Sequence, residues 1–273
     1  PGSEDLKYAK IVAKHLDTDH HEIIIDEKTF FDSIPEVIEK IESYDTTTIR
    51  ASVGNYLIAK YIKDNSCAKV IFNGDGADEV MGGYLYFSAA PNACEFDKEC
   101  RRLLSNISKF DVLRSDRSIA SNGLEARTPF LDRKFVDFYL NISKNIRYPN
   151  SGECEKYLIR NAFSRTMPNF LPDSVLWRTK EAFSDGVSNV NRSWFKIIEE
   201  NIENMCDTDN LLGEILLDRI NVHKKLNLHN PPTTLEQSYY RHIYNKYYNG
   251  TDYIIPYYWM PKFIKSDDSS ART

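Results

Sequence analysis

Several things are missing from this 273-residue sequence, and each absence closes a class of function. Long apolar stretches are absent. Aliphatic runs such as Ile23-Ile24-Ile25 fall far short of the ~20 residues that a helical membrane span needs. A basic excess is absent too: 35 Lys and Arg stand against 40 Asp and Glu, a formal charge of −5 with a pI near 5.8. No positive field therefore argues for nucleic acid or anionic lipid as a partner. Cysteines are few and odd in number, five, with no C-x-x-C pair; they read as free thiols of a reducing, cytoplasmic compartment. The six histidines make no H-x-x-x-H pattern, and His20-His21 reads as the opening of a strand rather than a metal pair. A G-x-G-x-x-G dinucleotide fingerprint, internal repeats and low-complexity segments are likewise missing. The chain opens Pro1-Gly2-Ser3-Glu4, without an initiator methionine or a signal-peptide core, so either a processed start or a piece of a longer polypeptide is expected.

What is there suits a folded protein. Hydrophobic residues make up 41%, charged residues 27%, and mean hydropathy is −0.50, too apolar for disorder. At roughly 150 residues per domain, the length allows one large or two small domains. Up to about Tyr148 the pattern alternates helix and strand. Helical spacing runs from Glu4 to Leu16, and His21 to Asp26 is a β-branched strand candidate. Ser33 and Glu36 flank Pro35 as a capping box for a helix through Val37, Ile38 and Ile41. A further helix fits Ala51 to Lys63, and Lys69 to Phe72 is a second buried strand. Strands separated by such helices imply βαβ units and a parallel sheet. Beyond Asp132 the periodicity is mainly helical, over Glu153–Phe163, Ser193–Met205 and Thr233–Tyr248, the last with a capping box of Thr233 and Glu236. An aromatic segment, Tyr253 to Phe263, closes the pattern before a polar tail.

The densest chemistry lies in VIFNGDGADEVMGGY, Val70 to Tyr84. A strand runs straight into a turn holding Asn73, Gly74, Asp75, Gly76, Asp78 and Glu79. In an open α/β sheet, ligands sit beyond the carboxyl ends of the strands. Three carboxylates within five residues need a cation or a cationic substrate to offset their repulsion, which makes Asp78 a candidate Mg²⁺ ligand. A solvated acidic turn is the alternative at this point. An EF-hand loop fails, because Ala77 and Asp78 stand where a ligand and a glycine are required. Three further segments bear on the choice. SYDTTTIRAS, Ser43 to Ser52, crowds hydroxyls and Arg50 near a helix start, a setting for carboxylate or phosphate. VLRSDRSIASNGLEARTPFLD, Val112 to Asp132, carries Arg114, Arg117 and Arg127, and LPDSVLWRTKEAFSDGVS, Leu171 to Ser188, places Lys180 in a loop-like setting. Acidic turn, hydroxyl-rich cap and dispersed cations suit phosphoryl chemistry.

These four segments, in this order, resemble the synthetase domain of glutamine-dependent asparagine synthetases. The family's S-G-E-G-x-D-E-x-x-G-G-Y stands here as Asn73 to Tyr84, its TTIRAS as Thr47 to Ser52, its G-x-E-x-R-x-P-F-L-D as Gly123 to Asp132, and its W-R-x-K-E-x-F-S-D-G as Trp177 to Gly186. The likeness extends from Gly2 to Asp268-Ser269-Ser270-Ala271-Arg272. It implies an α/β domain of the adenine-nucleotide α-hydrolase (ATP pyrophosphatase) type over residues 1–273. Residues 1–150 would be the nucleotide-binding part and 151–273 a mainly helical extension. It implies attack of an aspartate β-carboxylate on ATP, giving β-aspartyl-AMP, and aminolysis by ammonia from glutamine. By position, Asn73, Gly74 and Arg117 would contact nucleotide or phosphates, Asp78 the Mg²⁺, and Thr47, Thr48 and Arg50 the aspartate. Asp75 and Lys180 would be catalytic, Lys180 on the phosphates and Asp75 as a base towards ammonium.

Two departures qualify the resemblance. The family has Glu where Asp75 stands and Ser where Asn73 stands, and the shorter acid implies impaired turnover. The S-G-G-x-D-S pyrophosphate loop is absent, as are the strands around it and the N-terminal glutaminase. The expected sheet therefore keeps its His21 and Lys69 strands but has a bare edge, in a chain inactive by itself. A degenerate binding module and a β-lactam synthetase-type adenylating enzyme stand as alternatives.

Overall fold

Among the described residues amphipathic helices predominate, and a single short pair of strands marks where the chain changes character. The computed structural model describes residues 4–150, 152–180 and 194–265. Helix α1 spans Glu4–Leu16 as the spacing predicts. The β-branched run after it forms no strand: residues 18–26 have no regular secondary structure, and Ile24 is 66% exposed. β-Propensity reflects fit to a neighbouring strand, and none lies beside this segment among the described residues. His21 therefore opens no strand; its Nδ1 meets the Tyr61 hydroxyl at 3.0 Å.

Helices α2 (Glu27–Asp32) and α3 (Ile34–Ile41) follow almost without a break. That continuity undoes the expected capping box. Ser33 is itself helical (φ −78°, ψ −14°) and its hydroxyl donates back to Thr29 O at 2.7 Å, while Glu36 accepts from the Tyr56 hydroxyl. Helix α4 covers Thr46–Asn65, five residues earlier than the periodicity suggests. The reason is Asp45, whose carboxylate accepts from both Thr48 N (2.9 Å) and Thr48 Oγ1 (2.7 Å) and so satisfies the first turn.

Strand β1 (Val70–Phe72) pairs in parallel with β2 (Glu125–Arg127), Ile71 opposite Ala126. β2 has no sequence signal, because Glu-Ala-Arg carries neither β-branched residues nor an apolar alternation. β1 is not buried as expected. Val70 is 44% and Phe72 78% exposed, and only Ile71 packs inward, with Ala59, Ile119, Leu124 and Ala126. Between the strands lie α5 (Ala77–Met81), α6 (Ala93–Asn106) and α7 (Asp111–Ala120). Helices α8 (Arg133–Asn141) and α9 (Lys144–Arg147) come next.

The helix expected at Glu153 begins later, as α10 (Tyr157–Thr166), because Lys156 is left-handed at φ 56° and breaks the run. After α11 (Asp173–Leu176) come α12 (Trp194–Thr208), α13 (Asn210–Lys225) and α14 (Leu235–Tyr248). The cap of α14 is Thr234, not Thr233. Thr234 accepts from Gln237 N and Gln237 Oε1 accepts from Thr233 N, which leaves Glu236 for another partner. The aromatic segment after α14 forms no strand; one helical turn, Asp252–Ile254, precedes irregular backbone.

The largest core joins the two ends of the chain. Ile34, Ile38, Ile41, Ile49 and Val53 of α3 and α4 pack on Ile198, Leu216, Tyr240 and Tyr244 of α12–α14. A second, aromatic core gathers Tyr84, Tyr86, Phe87, Phe96 and Trp259. Among the described residues no helix is long and apolar enough to cross a membrane.

Candidate active site

Where β1 ends, the backbone must turn at once into α5, and its glycines permit that. Gly76 adopts φ +89°, and a Cβ there would collide with the Leu131 side chain. Gly83 has a different task. A Cβ on it would overlap Asp78 Oδ1 and approach Lys156 Cδ to 2.9 Å, so its bareness leaves the space in which those two side chains meet.

Around this turn the charges form one network. Lys156 Nζ donates to Asp78 Oδ1 at 2.5 Å, and Lys180 Nζ lies 3.5 Å from Asp78 Oδ2 and 4.7 Å above the Tyr84 ring. Burial pushes the Asp78 carboxyl up, but the Lys180 and Lys156 ammonium groups outweigh it and hold the pKa at about 2. Asp75 N is held by Asn73 Oδ1 at 3.3 Å, and the Asp75 carboxylate lies 3.5 Å from Arg114 Nη2. Asn73 Nδ2 donates to Ser115 Oγ at 2.6 Å. Arg114 also pairs with Asp111 at 2.9 Å.

Beneath them the Tyr84 hydroxyl bridges Glu79 and Asp111. Burial, then the charges of Asp111 and Asp78, push the Glu79 carboxyl well above its ordinary range. The two carboxylates compete for the one phenolic proton. Asp75, Asp78 and Asp111 are each in ion-pair contact with Arg114, Lys156 or Lys180. Next to the turn lies a mostly apolar cavity of about 480 Å³, lined by Gly74, Ala77, Phe130, Lys156, Ile159 and Phe163, among others.

Of the residues singled out in the sequence, the structure brings Asn73, Gly74, Asp75, Asp78 and Lys180 to one place. Arg117 faces elsewhere: its guanidinium donates to Ile41 O and pairs with Glu42 at 2.6 Å. Thr48 is spent on the Asp45 cap. Arg50 is buried against Glu236 through two hydrogen bonds, Nε–Oε1 at 2.8 Å and Nη2–Oε2 at 2.5 Å, with the Phe195 ring 4.5 Å from its guanidinium carbon. Thr47 lies in the first turn of the same helix. Thr46 and Arg50 reach a separate cavity of about 220 Å³, shared with Phe195, Glu236 and Gln237. Glu181 to Gly186 of the Lys180 segment lie outside the described residues.

Sequence reasoning missed Lys156, which reads as an interior helix residue and meets Asp78 only through the tertiary fold. It also missed Arg114 as the partner of Asp75. Asp78 is the one sequence-predicted Mg²⁺ ligand at the turn, and Mg²⁺ needs only one or two carboxylates besides water and phosphate oxygens. Both Asp78 oxygens face ammonium groups, and no three His, Cys, Asp or Glu side chains gather around a common point among the described residues.

A charged turn beyond the carboxyl ends of parallel strands, beside an apolar cavity, is where α/β proteins commonly place a ligand site. The sequence narrows that class. Residues 1–97 and 88–246 match the asparagine synthase family, and the chain belongs to it. Over 271 residues it is 44% identical to the "Asparagine synthetase [glutamine-hydrolyzing]" of Gallus gallus and of Rattus norvegicus, and 43% to that of Homo sapiens. Those alignments cover 99% of this chain and 46% of each relative, so the chain spans about half the length of the relatives it matches.

Proposed function

We propose that this chain is the synthetase portion of an ATP-dependent ligase that makes asparagine from aspartate. The fold would be of the adenine-nucleotide α-hydrolase type, nucleotide-binding in 1–150 with a helical extension in 151–273, working in the cytoplasm. One observation carries the reading: two lysines converge on Asp78 at the rim of a cavity that reaches Gly74.

The apolar cavity would take the adenine ring, with Gly74 allowing close approach of the backbone. Lys180 and Lys156 would exchange part of their contact with Asp78 for triphosphate oxygens, and Asp78 would keep both ammonium groups in place between turnovers. An aspartate β-carboxylate oxygen then attacks the α-phosphorus, and pyrophosphate leaves with its developing charge against the lysines. Ammonia, supplied from glutamine by a glutaminase portion of the same polypeptide, attacks the acyl carbon of β-aspartyl-AMP, and AMP departs. Asp75 would accept the proton that the new ammonium gives up, with Arg114 orienting it. Arg50, Thr47 and Thr48 would shape the aspartate side through α4 rather than touch phosphate, and Arg117 would have to leave Glu42 to reach the nucleotide.

The test is aspartate-dependent exchange of labelled pyrophosphate into ATP by the intact protein. Exchange that requires aspartate supports the reading. Its absence in a protein that folds and carries its full upstream sequence overturns it and leaves a binding module.

A further inference from the structure

Helix α13 is apolar on two opposite sides, and only one of them has a partner. Leu216 is fully buried in the main core, its carbonyl accepts from Ser238 Oγ of α14 at 2.7 Å, and a Cβ on Gly213 would meet Cys206 of α12 at 3.3 Å. The other side carries Leu211, Ile215 and Val222, with Leu226 at the helix end; they are 67%, 38%, 36% and 61% exposed. At 3.6 residues per turn these four fall in one stripe about 60° wide. A lone exposed leucine needs no explanation, but a row of four does. The intervals along the row are four, seven and four residues, the same read from either end. Charge is ordered beside it. Glu214 and Asp218 lie in the first half of α13 and Lys225 at its end, all bordering the row on the same side. All three are exposed and in no ion pair among the described residues.

A second copy of the same helix, laid antiparallel, satisfies this pattern. With a two-fold axis between Asp218 and Arg219, Leu211 comes opposite Leu226 of the second copy and Ile215 opposite Val222. The same axis sets Glu214 of each copy beside Lys225 of the other, so both polar borders are complementary. Acid before base also suits the dipole of the helix itself. The symmetric apolar row therefore carries the inference, and the charges set its direction. We propose that this face of α13 is the interface of a two-fold homodimer, helix packed antiparallel on helix. One helix per copy is small against the ~800 Å² per partner of a stable complex, so the dimer is reversible and depends on concentration. The surface is separate from the charged turn, and the proposal does not depend on the ligase reading.

Sedimentation equilibrium of the intact protein, over a wide range of concentration, reads the association. The expected result is a reversible step from one chain to two. Val222→Glu weakens that step by at least about tenfold, because the two-fold axis buries the introduced charge twice, while the melting temperature of the dilute protein moves little. Glu214→Lys and Lys225→Glu each weaken it by roughly 3–10-fold, as both Glu214–Lys225 contacts turn repulsive. Combining the two changes in one chain restores the association, and so does mixing the two single variants; only the antiparallel register brings these positions together. A protein that stays a single chain at every concentration, or a step that Val222→Glu leaves intact, overturns the proposal. So does a double exchange that associates no more tightly than the single ones. A single chain that sediments instead with phosphatidylserine vesicles would give the face to a lipid surface, and overturns it as well.

Discussion

Asp78 with its two lysines and Arg50 with Glu236 are both buried ion pairs, yet they are built for opposite ends. Arg50 and Glu236 expose 7% and 5% of their side chains and meet edge to edge, one guanidinium N–H on each carboxylate oxygen. Asp78 is 23% exposed and meets two point charges, Lys156 at 19% and Lys180 at 10% exposure, neither in a bidentate fit. The first arrangement is a bidentate contact that fixes α4 against α14. The second leaves ammonium hydrogens unspent beside a cavity. Residue type alone does not distinguish a site from a strut; bonding geometry does.

The comparison breaks most sharply at Lys180. Lys180→Ala should cut aspartate-dependent pyrophosphate exchange by about 10²–10³-fold while moving the melting temperature little. A melting point that falls in step with activity would make Lys180 a strut as well. Arg50→Ala should do the reverse. Stranding Glu236 destabilises the fold by about 3–5 kcal/mol, read by urea unfolding, and replacing both partners with Met and Leu should restore most of it. If the single change is silent, the helical pair is not structural.

Asp75→Glu restores the longer acid and should raise exchange by up to about 10²-fold, since a displacement of ~1 Å can cost that much. No change, or a loss, would mean that Arg114 already holds Asp75 where it is needed.

The smallest effect is a contrast in pH dependence. Asp78, lowered to about 2, contributes stability that is complete above its unfolded pKa near 3.8 and disappears as pH falls towards 2. Asp45 runs the other way. Burial raises it to about 6, only partly offset by bonds from the Thr48 hydroxyl and the Trp259 and Thr48 amides. Its contribution is complete below pH 3.8 and is lost as pH rises through 6. Melting curves between pH 4 and 7 should therefore flatten in Asp45→Asn, whereas Asp78→Asn should alter only the acid limb below pH 4.

Much of the site was legible because its residues are neighbours in the chain. Asn73, Gly74, Asp75 and Asp78 share one turn after one strand, and a glycine-rich acidic sequence following an apolar run announces such a turn directly. Lys180 was legible through its motif. Lys156 was not, because its approach to Asp78 depends on a left-handed backbone at φ 56° and on the room left by Gly83. The TTIRAS segment was ambiguous in a different way. Hydroxyls and an arginine at a helix start look the same whether they await a ligand or are already satisfied, and Asp45 and Glu236 satisfy two of them here.

By itself the sequence determined several of the helices, where the sharp turn falls and which family the chain joins, since periodicity, glycine placement and long motifs are local properties. Only the tertiary structure decided how the charges pair. The exposed β1 face, the unpartnered Ile23–Ile25 run and the division between a closed and an open ion pair all follow from which elements pack together. A carboxylate at the same spacing becomes a helix cap, a strut or a lysine clamp according to what the fold sets against it.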